Sequence, residues 1–236
     1  MRIGRDAGGV VHYNLNMPAF AFRRQPEPLA WFGAGRGQAL LAAELATAGL
    51  WLARRPTQPA LWLTPAAAPQ PPVVLHGFSR QLWLWRHPEG FSGDLRCELP
   101  LPLPSEAFGS MVIQHAVECP AASDLLGECA RTLAPGGRLR LYVLNPMSPY
   151  RLRWRGTALR VRDTAGWQAA LRQAGLHPIA TGATYLGPIL RGTAAASPPS
   201  ANRLRAVCVL EAEKRVAALI PPAPARRHWN TGAAPA

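Results

Sequence analysis

The run Pro100-Leu-Pro-Leu-Pro-Ser-Glu-Ala-Phe-Gly-Ser-Met-Val-Ile-Gln-His-Ala-Val-Glu118 is followed, after an amphipathic stretch, by Leu133-Ala-Pro-Gly-Gly-Arg-Leu-Arg-Leu-Tyr-Val-Leu-Asn-Pro146. Together they spell one strand–helix–strand unit with its punctuation. Met111-Val-Ile is short and apolar, bounded by Gly109 and Ser110, which suits a strand buried on both faces of a parallel sheet. Ser123 or Asp124 offers a helix N-cap. Leu125, Leu126, Cys129, Ala130 and Leu133 then repeat at helical spacing as one apolar stripe. Pro135 cannot continue a helix, and Gly136 and Gly137 supply a turn. Leu139, Leu141, Val143 and Leu144 form the next strand, completing a right-handed βαβ unit.

Working outward, Leu29 to Ala53 reads as a helix, with Leu40, Leu41, Glu44, Leu45, Ala48 and Leu52 at helical spacings and Pro56 and Pro59 ending it. Ala60–Thr64 reads as the first strand and Gln81–Arg86 as the second, with a Pro-rich, loop-like stretch between them that contains apolar Val73-Val-Leu. Thr164 is placed as the N-cap of a helix that stops at Gly175. His177–Tyr185 and Ala206–Glu211 read as strands, joined by a low-complexity Ala/Ser/Pro connection over 192–201. This order predicts an α/β, doubly wound, mostly parallel sheet. The expected organisation is an irregular arm over residues 1–28, one domain over 29–215 and a basic Pro/Ala-rich disordered tail over 216–236.

The 236 residues carry a formal charge of +13, so nucleic acid enters as a partner class. Lys214 is the only lysine, however, and the chain is crowded with Ala and Pro, a bias that reads as GC-rich coding. The densest basic run, Arg151-Leu-Arg-Trp-Arg continuing to Arg160 and Arg162, interleaves Trp154 and suits a backbone-plus-stacking contact; a solvated loop is the plainer reading. No stretch reaches the roughly 18 uninterrupted apolar residues of a membrane span, and no membrane partner is expected. The four cysteines show no C-x-x-C spacing, which points to free thiols, a cytoplasmic location and no metal.

The central stretch resembles the fourth strand, fourth helix and fifth strand of class I S-adenosylmethionine (SAM)-dependent methyltransferases, and within them the type 11 methyltransferases. Their pattern runs L-P-F-x-x-x-S-F-D-x-V-x-x-x-H-x-L-E, then L-x-P-G-G-x-L. Leu101, Pro102, Phe108, Val112, His115, Val117, Glu118, Pro135, Gly136 and Gly137 stand at its places, and Gly109 replaces the usual Asp. The resemblance covers about residues 29–215 and is dense over 100–146. It implies a Rossmann-like, seven-stranded sheet with an antiparallel last strand, SAM as cofactor and a methyl acceptor as substrate. Such chains often begin near the equivalent of Met17, so residues 1–16 are expected to precede the true start, which intact mass would test.

The cofactor site departs from the family. A glycine-rich turn should follow the first strand, because glycine lets backbone N–H groups approach the cofactor. Here Thr64-Pro-Ala-Ala-Ala-Pro69 follows, leaving Thr64 and Ala66 as the loop candidates. The resemblance implies an acid for the ribose hydroxyls after the second strand, filled by Glu89, and an acid near the adenine, filled by Glu98. Gln114 and His115 follow the fourth strand, at the mouth of an open sheet, and are the candidates to position or deprotonate an acceptor, with Gln114 also a candidate cofactor ligand. In a rival register Leu29-Ala-Trp-Phe is the first strand and Gly33, Gly35 and Gly37 form the cofactor loop. Trp31-Phe32 followed by Gly37-Gln-Ala-Leu-Leu favours the helix reading, because it resembles the family's N-terminal helix. His115 and Glu118 have metal-ligand spacing but sit where the family uses the same letters structurally. Asn145-Pro-Met-Ser-Pro-Tyr150 evokes the N-P-P-Y loop of amino-group methyltransferases, yet follows the fifth strand where that loop follows the fourth. Three readings result: methyl transfer to an unspecified acceptor, a non-catalytic relative that binds a partner, and a nucleic-acid binder.

Overall fold

The computed structural model describes residues 28–33, 35–55, 57–66, 80–179, 183–190 and 198–215. The expectations for the N-terminal arm, for Val73-Val-Leu and for the C-terminal tail lie outside them. A 3-10 helix (Pro28–Gly33) leads into α1 (Gly35–Leu52). Then come β1 (Ala60–Thr64), β2 (Gln81–His87), β3 (Gly90–Gly93) and β4 (Phe108–Gln114), followed by α2 (Ala122–Thr132) and β5 (Leu133–Leu144). A second 3-10 helix (Pro149–Arg153) precedes α3 (Thr164–Gln173), β6 (Leu176–Pro178), β7 (Thr184–Leu186) and β8 (Val207–Lys214).

One sheet gathers all eight strands in the order β3-β2-β1-β4-β5-β8-β6, with β7 also paired to β8. β2, β1, β4 and β5 run parallel, and β8 inserts antiparallel beside β5, as expected of the last strand. The count is eight rather than the expected seven, because the six strands located in the sequence gain two more. The stretch read as one strand over 177–185 is two short ones, β6 and β7, which share the far edge of β8. β2 also turns back on itself through Pro88 and Glu89 into antiparallel β3.

Period-two alternation sorts each central strand onto two layers. Leu61, Leu63, Met111, Ile113, Leu139 and Leu141 face α2 and α3, whose Leu125, Cys129, Trp167 and Leu171 close that core. Trp62, Val112, Tyr142, Leu144 and Val209 face the other way, against Leu40, Ala48 and Leu52 of α1 and Phe32. All five residues of β1 and all seven of β4 are buried, so these two form the centre. Each buried leucine there contributes on the order of 2 kcal/mol.

The helix caps differ from expectation. α2 starts at Ala121 in the left-handed region without a side-chain cap, and Asp124 instead lies in the first turn, where an acidic side chain complements the helix dipole. Asp163, not Thr164, caps α3 by accepting from the Gly166 N–H at 2.8 Å. α2 stops because Leu133 is already extended and paired with Phe108; Pro135-Gly-Gly137 then forms a bulge inside β5, which rejoins β4 at Arg138.

Candidate functional site

The carboxyl ends of β2, β1, β4 and β5 form one rim, where an open α/β sheet presents its ligand crevice. At the centre of that rim β4 ends in Gln114 and His115. His115 has a positive φ of 51°, which turns the chain sharply and tucks its ring under α1. Its Nε2 lies 2.7 Å from Glu44 Oε1 of α1, and its Nδ1 lies 2.7 Å from Glu118 Oε2. The Phe32 ring stacks on it at 4.4 Å. Glu44, His115 and Glu118 are each 0% exposed. Burial alone opposes the charged imidazolium, but the two carboxylates outweigh it and push the His115 pKa up to about 10. Burial in turn pushes Glu118 up, and the His115 charge pulls it partly back.

Gln114 is as fully engaged. Its Oε1 accepts from Trp62 Nε1 at 2.7 Å, and its Nε2 donates to Glu44 Oε2 at 2.9 Å and to the Leu41 carbonyl at 3.3 Å. Glu118 Oε1 accepts the Leu144 N–H at 2.7 Å. The cluster therefore ties α1, β1, β4 and β5 together at one point. This corrects the role foreseen for His115 as a base and for Gln114 as a cofactor ligand. With both ring nitrogens held by carboxylates the imidazole has no free lone pair, and the Gln114 amide has its polar atoms turned into protein.

A second feature lies at the end of β2. His87, Glu89, Arg96, Cys97 and Glu98 line a cleft of about 280 Å³. The structure thus brings Glu89 and Glu98 together, one on the β2–β3 turn and one on the strand-like segment after β3. Phe91 and Cys97 exchange backbone hydrogen bonds of 2.7 and 3.0 Å to hold that segment in place. Gly90 allows it, because a Cβ there would overlap the Cys97 carbonyl oxygen. Arg86 crosses from β2 past the end of β1, donating to the carbonyls of Ala116 at 3.0 Å and Pro120 at 3.2 Å.

Thr64 and Ala66 stand at the end of β1, beside both features. Thr64 Oγ1 donates to the Ala66 carbonyl at 2.8 Å, folding the chain back on itself, and residues 67–79 lie outside the described ones. The rival register is not realised: Leu29-Ala-Trp-Phe forms a 3-10 helix, not a strand, and the first strand is Ala60–Thr64. Gly33 and Gly35 are exposed at the entrance to α1, whereas Gly37 is buried so close to the Trp31 carbonyl that a Cβ there would overlap it.

The order of strands, the antiparallel insertion of β8 and helices on both faces have known counterparts. A SAM-dependent methyltransferase from Thermotoga maritima superposes with a TM-score of 0.51 at 16% identity, covering 75% of this chain and 91% of that one. A chain from the complex between the Haloferax volcanii Trm112 methyltransferase activator and a methyltransferase superposes at 0.50 and 16% identity, covering 80% and 98%. The fold is that of the class I SAM-dependent methyltransferases. No family model and no curated protein matches the sequence.

The methyltransferase fold places its crevice at the rim just described, and the residues there fit half of the cofactor. Two exposed glutamates facing one cleft offer hydrogen-bond acceptors of the kind that the donors on the nucleoside end of SAM need. At the methionine half, Pro65 has no N–H to offer. Glu44, which completes the buried cluster, was legible only as a helix residue. Its polar side chain on the same helix face as Leu40 and Ala48 is the sequence signal for it. Nothing in the spacing marks His87, Arg96 and Cys97 as cleft residues, because the hairpin that gathers them has no family pattern. Among the described residues no group of His, Cys, Asp and Glu could hold a metal ion.

Proposed function

We propose that this chain is a SAM-dependent methyltransferase that takes the nucleoside end of the cofactor between Glu89 and Glu98. The observation that carries this reading is the pairing of those two carboxylates in one cleft at the carboxyl end of β2, on a methyltransferase fold. The residues at Leu101, Pro102, Phe108, His115, Glu118, Pro135, Gly136 and Gly137 support the type 11 group within that fold class. When bound, SAM supplies an activated methyl group for in-line displacement, so the protein's share of the work is proximity and orientation. Glu89 accepts hydrogen bonds from the ribose hydroxyls and Glu98 from the adenine amino group, and Arg86 braces the rim between β2 and the turn after β4. The clamped His115 holds α1 over the rim and keeps its protons, so it takes none from the acceptor.

Calorimetry with SAM and with S-adenosylhomocysteine tests the reading. A dissociation constant in the micromolar range, about −8 kcal/mol, is expected. Glu89→Ala and Glu98→Ala, both at exposed positions, should each weaken binding about tenfold by removing a charged acceptor. Absence of binding at saturating ligand would overturn the proposal. It would leave the non-catalytic relative, a reading favoured by the glycine-free turn after Thr64.

A further inference from the structure

The far end of the same rim carries a surface that the fold does not use. From Asn145 to Arg162 the sequence holds five arginines (Arg151, Arg153, Arg155, Arg160, Arg162) and no acidic residue. Asn145 Nδ2 donates to the carbonyls of Arg203 at 2.6 Å and Arg205 at 2.8 Å, and Ser148 Oγ donates to the Leu204 carbonyl at 2.6 Å. These bonds lay the segment after β5 against the segment before β8, and Arg151, Arg155 and Arg203 are exposed on them. Large apolar side chains project among them: Met147 is 72% exposed, Leu152 59% and Leu204 50%. A cleft of about 440 Å³ opens between Pro146, Arg151, Leu152, Trp154, Arg155 and Val161.

A solvated basic loop has no use for three projecting apolar side chains. A single-stranded nucleic acid would need exposed rings on which to stack. The rings of this region are turned inward: Trp154 and Tyr150 are buried against each other, and Trp154 also packs on Trp31. This overturns the stacking role foreseen for Trp154. An anionic bilayer matches what remains, because guanidinium groups pair with lipid phosphates while aliphatic tips enter the boundary below them. We propose that this rim is a docking surface for anionic phospholipid membranes, with Met147, Leu152 and Leu204 inserted and Arg151, Arg155 and Arg203 on the phosphates. The contact is peripheral; no described helix is long and apolar enough to cross a membrane. It is independent of methyl transfer and is read without it.

The test is co-sedimentation of the full chain with phosphatidylcholine vesicles, with and without phosphatidylglycerol. Binding is expected only to the anionic vesicles, and should be released in about 1 M salt, where the screening length is about 3 Å. Each arginine at the surface should be worth about fivefold in partitioning. Arg151→Glu with Arg155→Glu, and separately the triple Met147→Ser, Leu152→Ser, Leu204→Ser, should therefore each cut binding at least about tenfold with an unchanged melting temperature, since these side chains are exposed. Equal binding to both vesicle types, or to neither, overturns the proposal. So does a triple variant that binds like the parent, or tighter binding to single-stranded RNA that the triple variant retains.

Discussion

Glycine is required at position 90 for two independent reasons. Its φ of +152° lies where side chains other than glycine are strained, and a Cβ would run into the Cys97 carbonyl. Gly90→Ala should therefore cost about 1–3 kcal/mol of stability, read by urea denaturation. The same change pushes the 97–98 segment off the hairpin and moves Glu98 away from Glu89, so SAM binding should fall by more than the loss of stability explains. A parallel variant, Gly127→Ala, sits on α2 with open space around its missing side chain and should be neutral or slightly stabilising. The contrast separates a glycine that shapes the cleft from one that merely occupies a helix. Neither role was legible in the sequence, where both look like ordinary glycines.

At the scale of elements, the segment before β4 depends on one side chain of α2. Arg131 donates to the carbonyls of Leu101 and Leu103, each at 2.9 Å, and to Ser105 Oγ at 3.1 Å, while Glu128 steadies its guanidinium at 2.8 Å. Glu128 in turn accepts the Leu101 N–H at 2.9 Å. The Pro-rich run at 100–104 cannot pair as a strand, because proline lacks the donor, and this helix end substitutes for a neighbour. Arg131→Ala should cost about 1.5–3 kcal/mol and should raise hydrogen exchange selectively at Leu101 and Leu103. The βαβ unit was legible because its apolar runs, helical stripe and Pro-Gly-Gly mark agree with one another. The first strand was legible for the same reason, since β1 runs from Ala60 to Thr64 as read. The β2–β3 hairpin was missed because Pro88-Glu-Gly90 resembles a strand end as much as a turn. The divided edge was missed because apolar pattern alone does not say where pairing to β8 stops.

For the molecule as a whole, the buried Glu44–His115–Glu118 cluster couples the sheet to α1 and should set how stability depends on pH. His115 titrates near its ordinary 6.5 when unfolded and at about 10 when folded, so the folded state holds the extra proton. Its stabilising contribution is complete below about pH 6.5 and is lost as pH rises through about 10. Glu118 is also raised, so the folded state again binds the proton more tightly, and its contribution likewise falls with rising pH above its ordinary 4.5. The two slopes have the same sign, and each tenfold gain in proton affinity on folding is worth about 1.4 kcal/mol. The melting temperature should therefore be highest in mild acid and fall steadily from pH 6.5 to 10, by an amount equivalent to several kcal/mol. Glu44→Gln keeps the shape and removes one carboxylate from the clamp. It should lower stability at pH 6 by about 3–5 kcal/mol, as breaking a buried ion pair does, and flatten the curve above pH 7. A variant that melts lower but keeps the parent's slope would show that the pH dependence arises elsewhere. A parent whose melting temperature does not move between pH 6.5 and 10 would remove the charge from His115, and with it the reason to assign that ring to holding α1.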